Sequence, residues 1–337
     1  MRKLATVPIV LAALVLIAAC GGGDDGDEQT PQTTDGSPAY SGVIVTTDLT
    51  TGPNRFSVGV IDNEANQPAQ GATVALRFFK LLEGSQAQLR SESEADEVVM
   101  DRFIVDEETG QTVGSGQIAV YVANPEFNET GDWGVEITGD AVGKDIGQIM
   151  LPFEVKAPEN VLSVGDPAPR SRQAIASDVE DISEIDTMQP PDPLHDMTIE
   201  DAVTSGKPSV ILFGTPALCE TLTCGPVLQS VLLPLYEQYG DEASFIHVEP
   251  FFVEEARRGA GFCSVPAYNV NLARAGVPEG PGPCPALSEE ELQAVGESWN
   301  LISEPVIYVV DGEGIIAGKF EAVTGPDEVE ELLSALI

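Results

Sequence analysis

Two cysteines five positions apart, set between an unbroken apolar run and a helix-like run, restrict this chain more than any other feature. The stretch is TPALCETLTCGP, Thr215 to Pro226, and it contains Cys219 and Cys224. Before it, Ser209 to Phe213 (SVILF) reads as a strand buried on both faces. After it, Leu228, Val231, Leu232, Leu235 and Tyr239 recur at helical spacing, which predicts a helix from Pro226 to Tyr239. On one continuous helix, residues five apart are separated by roughly 7.5 Å of rise and lie on different faces. That exceeds what a disulfide tolerates. A bond between these cysteines therefore needs Cys219 in the loop, folded back over Cys224. Pro226 suits the first helical position, so Cys224 sits just outside it. There the free backbone amides and the positive end of the dipole favour a thiolate.

The rest of the second half supplies an ordered set of elements. Met197 to Ser205 reads as a short helix with Thr198 as its N-cap. Ser244 to Glu249 is a second strand, and Ser288 to Asn300 a helix opened by the capping pair Ser288 and Glu291. Pro305 to Asp311 and Gly314 to Glu321 form a hairpin, and a last helix runs from Pro326 to Ile337. An acidic, proline-containing stretch, Asp178 to Pro193, reads as a loop wrapping these elements. Residues 251–287 form a long Gly- and Pro-rich insertion with little apolar periodicity. It carries Cys263 and Cys284, whose pairing would close a loop without a core of its own.

Strand, cysteine-bearing turn, helix, strand, helix, hairpin, helix is an order that resembles the thioredoxin-like family over residues 160–337. Val164 to Ser171 (VGDPAPRS) resembles the opening segment of its extracytoplasmic members. Cys224-Gly225-Pro226 repeats the first three residues of the family's Cys-Gly-Pro-Cys, and Glu304-Pro305 lies where the family keeps a cis-proline beside its redox cysteines. The resemblance implies a redox site of Cys219, Cys224 and Pro305, with Pro305 cis and offering adjacent backbone to a partner peptide. Two positions depart from the family. Val227 stands where its second cysteine would be, and Phe213 falls where it buries a proton-transferring Asp. Helix physics points to Cys224 as the attacking thiol, whereas counting from the strand end puts Cys219 in that place.

Three functions compete on these residues. The first is thiol–disulfide exchange with exported protein thiols or disulfides, or with a membrane redox partner. The second is a redox-inert binding or scaffold module in which both disulfides are structural. The third is copper transfer, because related exported proteins hold copper with two cysteines and a histidine. The available histidines, His195 and His247, read instead as surface or satisfied core residues. No cofactor is implied.

The first half reads differently. From residue 39 to 157 the apolar residues alternate, as in Phe56/Val58/Val60, Val74/Leu76/Phe78, Ile118/Val120/Val122 and Trp133/Val135/Ile137. Such runs, separated by turn residues, predict a β-sandwich. The stretch GDWGVEIT resembles the late strand of bacterial immunoglobulin-like domains. No nucleophile, histidine cluster or acid pair stands out here, and a spacer or docking role is expected. The fold class is thus multidomain, an all-β immunoglobulin-like sandwich followed by an α/β thioredoxin-like fold with an insertion.

Ahead of both, residues 1–19 have the charged start, apolar core and small residues of a signal peptide. Ile17-Ala18-Ala19-Cys20 resembles the lipobox of bacterial lipoproteins, which implies cleavage before Cys20 and its lipidation. Residues 20–38 then form a Gly-, Thr- and Asp-rich tether. These features predict an extracytoplasmic protein held to a bacterial membrane by lipid. Acidic residues outnumber basic ones 55 to 16, a formal charge of −39, which argues against nucleic acid as a partner.

Overall fold

Val210 and Leu212 point to one side of their strand, Ile211 and Phe213 to the other, and all four are fully buried. A strand apolar on both faces demands cover on both, and this single requirement organises the second half of the protein. The computed structural model describes residues 38–114, 116–158, 162–258, 263–275, 284–285 and 287–337. The predicted signal segment, Cys20 and the tether up to Ser37 lie outside these residues.

Ser209–Phe213 is an inner strand of a four-stranded mixed sheet. It pairs in parallel with Ser244–Val248 and antiparallel with Val306–Val310, and the latter pairs antiparallel with Ile316–Glu321. One face packs against the helical run that starts at Cys224 and against Pro326–Leu336, through Leu228, Val231, Leu232, Val329 and Leu333. The other face packs against Ile199–Val203 and the aromatic residues Tyr268 and Trp299. Phe213 lies on this second face, 5.3 Å from Trp299 and 5.9 Å from Tyr268 between ring centroids, away from the cysteine-bearing helix.

Several helix ends obey local chemistry. Thr198 Oγ1 accepts the Asp201 N–H, as its N-cap position predicts. Ser288 and Glu291 cap each other, but their helix stops at Ala294, well short of the expected Asn300. Gly296 follows with a φ of 80°, a left-handed conformation suited to a helix end. The insertion contains two helices that its composition concealed, Val253–Arg257 and Pro266–Ala275, the second interrupted at Asn269.

The first half forms one curled ten-stranded sheet. Its middle is the 16-residue strand Gln86–Asp101, which pairs with Ala72–Leu82 along one part and with Gln117–Ala123 along another. Curling brings Tyr40–Ile44 against Ile149–Lys156, so closely that a Cβ on Gly42 would lie 3.0 Å from side-chain carbons of Ile137 and Ile149. Inside, Phe56, Phe78, Phe127, Trp133 and Phe153 form an aromatic cluster.

Pro38 to Ile337 form one compact unit. Met100, Val105, Val120 and Val122 of the first half share a core with Val210, Val227 and Leu228 of the second. Arg55 adds a two-pronged ion pair to Glu328 at 2.9 Å and donates to the Val323 carbonyl. Thr47 donates both its N–H and its hydroxyl to Glu321, each across 2.9 Å. The protein is mostly β, with a curled sheet, a mixed sheet and a few helices. Among the described residues no helix is long and apolar enough to cross a membrane.

Candidate functional site

Cys219 and Cys224 are joined in a disulfide, their Cα atoms 6.0 Å apart. The fold-back that this needs is made by Leu222, which sits between them at a φ of 60°. That left-handed conformation costs a residue with a side chain about 1–2 kcal/mol, so surrounding contacts must hold it. They do. The Phe103 N–H donates to the Leu222 carbonyl at 3.0 Å, and the Val105 N–H donates to the Pro216 carbonyl at 3.2 Å. A Cβ on Gly225 would lie 3.0 Å from the Phe103 ring, so glycine there admits the ring directly over the helix start. The first half of the chain thus covers the cysteine loop with the segment Arg102 to Val105, which sequence reasoning did not identify.

The two sulfurs differ in surroundings. Cys224 begins the helical run and has no exposed surface. Cys219 is 2% exposed and lines a cavity of about 170 Å³ with Glu220, Thr221, Phe251 and Glu304. Its sulfur accepts the Thr221 hydroxyl at 3.1 Å, since a disulfide sulfur has no proton to give. The helical run continues through a π-turn at Leu228–Leu232 and ends at Tyr239.

Pro305 closes the site from the sheet side. The Glu304–Pro305 peptide bond is cis, and a Cβ on Gly214 would lie 3.4 Å from the Cβ atoms of both Pro305 and Cys224. Glu304 carries its carboxylate to the same place. One of its oxygens and both sulfurs lie within 4.8 Å of one another. The residue is half-buried, yet Oε2 is shielded from solvent and lacks a well-formed hydrogen bond. Burial pushes its carboxyl up to about 7, against a smaller downward pull from Thr215.

On the other side of Gly214 lies a second buried group. His247 Nε2 meets the Gly214 carbonyl at 2.8 Å, and its Nδ1 meets Asp192 Oδ2 at 2.8 Å. His195 Nε2 lies 3.3 Å from the same Asp192 oxygen and 3.5 Å from Asp186 Oδ2. All four side chains are buried. Burial alone would lower His247, but the Asp192 charge outweighs it and holds the imidazole up at about 10. Burial works against the Asp192 anion too, and the histidines override it, holding that carboxyl well below the usual range. Glu249, two residues beyond His247, accepts the Thr187 N–H at 2.8 Å through Oε1 and leaves Oε2 unpartnered, and burial raises it to about 7.

The structure brings Cys219, Cys224 and Pro305 together, and it joins Cys263 to Cys284 in a separate disulfide within the insertion. Neither histidine is at the surface, and His247 has a partner on each ring nitrogen. Glu304, Glu249, Asp186 and Asp192 were not singled out from the sequence, since they are four acids among 55. The sequence offers only the scarcity of histidine, two in all, as a signal, and it is the structure that buries both. Set against known protein families and against curated proteins, the chain matches none.

Proposed function

We propose that this protein is an extracytoplasmic, lipid-anchored thioredoxin-like protein that performs thiol–disulfide exchange through Cys219 and Cys224. One observation carries the reading. A carboxylate that is shielded, poorly partnered and held near neutrality stands beside both sulfurs, at the wall of a cavity that reaches Cys219. Leaving a shielded carboxylate oxygen poorly partnered is unfavourable, and a proton-holding role beside a disulfide accounts for its being kept.

In the exchange, a partner thiolate attacks Cys219, the sulfur on the cavity wall. A mixed disulfide forms, the Cys219–Cys224 bond breaks, and Cys224 leaves as a thiolate favoured by the helix start. Protonated Glu304 supplies the proton that this thiolate takes up. The partner's second thiolate then attacks its own sulfur in the mixed disulfide and expels Cys219. The partner dithiol is oxidised, the Cys219–Cys224 pair is reduced by two electrons, and the sequence is reversible. This assignment makes Cys219 the exchanging sulfur and Cys224 the leaving and resolving one. Exported proteins or a membrane redox protein would be the partners, and lipid on Cys20 would hold the site outside the membrane.

A second reading is supported by the covering segment. With Phe103 over Gly225 and Cys224 without exposed surface, the disulfide is also suited to a structural staple in a binding or scaffold module. The reduction potential of the pair separates the two. A value in the range of cellular thiol–disulfide couples supports exchange, whereas one below about −300 mV marks a staple. The anchor is tested by Cys20→Ser, which should release the protein from the membrane fraction. A mature wild-type protein without acyl mass would refute the anchor.

A further inference from the structure

We propose that Asp186, Asp192, His195 and His247 form a binding site for a divalent transition metal of the zinc class. The site is independent of the cysteine chemistry, and both histidines of the sequence belong to it.

Four donor atoms converge, Asp186 Oδ2, Asp192 Oδ2, His195 Nε2 and His247 Nδ1, and one such atom from each residue lies within 4.8 Å of all the others. Three of their separations are 2.8, 3.3 and 3.5 Å. Tetrahedral zinc with bonds of about 2.0–2.1 Å places its ligands about 3.3–3.4 Å apart, which the two His195 contacts match, while His247 Nδ1 and Asp192 Oδ2 would have to part by about 0.5 Å. The two contacts of His195 are long and divided between two carboxylates, a poor arrangement for one shared proton and a suitable one for a cation held among three ligands.

The outer contacts point the same way. His247 Nε2–H donates to the Gly214 carbonyl, which leaves Nδ1, facing Asp192, as the nitrogen that would give up its proton to a metal. The 2.8 Å between Nδ1 and Asp192 Oδ2 is bridged by a proton in the metal-free protein, and a divalent ion would take that proton's place. Each carboxylate is also oriented by backbone. Asp186 Oδ1 accepts the Met188 N–H at 2.7 Å and its Oδ2 the Asp192 N–H at 2.9 Å, and Asp192 Oδ1 accepts the Leu194 N–H at 2.9 Å, so both Oδ2 atoms are turned towards the centre with a lone pair still to offer. Two carboxylates, two neutral imidazoles and a divalent ion sum to zero charge, which suits a site closed to solvent. A largely apolar cavity of about 270 Å³ has His195 and His247 in its wall, and so lies next to the cluster. The donor set of imidazole and carboxylate suits zinc better than a thiolate-seeking ion such as Cu(I).

The test uses the full oxidised chain without reductant, so that the cysteines cannot bind metal. The protein is stripped with chelator and titrated with Zn²⁺, and separately with Co²⁺ as an optical probe, in excess Mg²⁺ to occupy the acidic surface. One zinc per chain, a rise in the unfolding temperature and a tetrahedral Co²⁺ absorption spectrum are expected. His195→Ala and Asp186→Asn should weaken binding by more than the roughly 10–100-fold that loss of an outer-shell contact causes. Failure of the wild-type chain to bind, an octahedral Co²⁺ spectrum, or equal uptake by folded variants would each overturn the site. The cluster would then be a network bridged by protons. Because the wild-type stoichiometry and spectrum stand alone, a variant that fails to fold does not remove the test.

Discussion

Phe103 donates its backbone N–H to the carbonyl of Leu222, the residue whose left-handed turn folds Cys219 over Cys224. One hydrogen bond therefore ties the first half of the chain to the geometry of the disulfide in the second. The ring of the same residue rests over Gly225, where an added Cβ would lie 3.0 Å from it and force the ring to shift. An incoming partner must displace this segment or approach through the cavity at Cys219, and the curled sheet thereby sets access to the sulfurs.

Phe103→Ala should expose the helix start and speed reduction of the Cys219–Cys224 bond by dithiothreitol. Truncation of this half-buried ring should also destabilise the protein by roughly 1–3 kcal/mol, below the range for fully buried aromatic residues. To separate access from general loosening, the rate is compared with that of Leu76→Ala, which lies in the aromatic core of the curled sheet. If both variants are reduced at the same rate for equal loss of stability, Phe103 does not act as a cover.

The two cysteines should behave unequally. Cys224→Ser leaves the cavity-facing Cys219 to capture partners with no resolving thiol, and mixed disulfides should accumulate. Cys219→Ser should trap few, since Cys224 has no exposed surface. A limiting alkylating agent applied after mild reduction should label Cys219 first. The helix start favours a thiolate on Cys224, so the outcome measures whether access or acidity dominates. Trapping by Cys219→Ser alone would restore Cys224 as the attacking thiol, and trapping by neither would leave the staple reading.

Elements with an unambiguous apolar pattern were legible in the sequence. Ser209–Phe213, Ser244–Val248 and Val306–Val310 are apolar runs that the sheet buries completely, and Pro326–Leu336 carries its inward face at Val329 and Leu333. The strand Gln86–Asp101 was not legible, because most of its residues are polar and exposed and its few apolar ones, Leu89, Val98, Val99 and Met100 among them, give no steady period to read. Its length is what makes the first half one curled sheet. The site divides in the same way. Cysteine spacing revealed the disulfide, whereas Glu304, Asp186 and Asp192 gain meaning only from neighbours distant in the chain. Asp186 and Asp192 belong to a stretch that read as an acidic wrapping loop. Their side chains turn inward because backbone amides of Met188 and Leu194 hold one oxygen of each.

The Cys263–Cys284 bond should be structural. It closes a 21-residue separation in an insertion whose helices are short, and loop-closure entropy for that length is worth about 3 kcal/mol. Replacing both cysteines by alanine should lower stability by that order and leave trapping at Cys219 intact. Peptide mapping without reduction should recover the two residues in one linked fragment. Recovery of either one joined to Cys219 or Cys224 would refute both disulfide assignments.

Glu304 gives a pH dependence with a definite sign. Its folded carboxyl is raised to about 7 from an ordinary value of 4.5, chiefly by burial, with the Glu249 charge acting in the same direction. The native state therefore binds this proton more tightly than the unfolded chain does. The stabilisation is fully present below about pH 4.5 and is lost as pH rises through about 7. Glu304→Gln has no proton to lose, so its stability relative to wild type should improve across that window by up to about 3 kcal/mol. The true figure should be smaller, because the residue is only half-buried. Glu249 titrates in the same sense in both proteins, so only the difference between them is diagnostic. Urea unfolding at about pH 5 and about pH 8 measures it. The same variant should slow exchange below neutrality, where Glu304 would otherwise hold the proton that the Cys224 thiolate takes up. A stability difference that stays flat with pH would remove Glu304 as a proton-holding group. A pH-dependent difference with unchanged exchange would leave it a buried acid with no part in the chemistry.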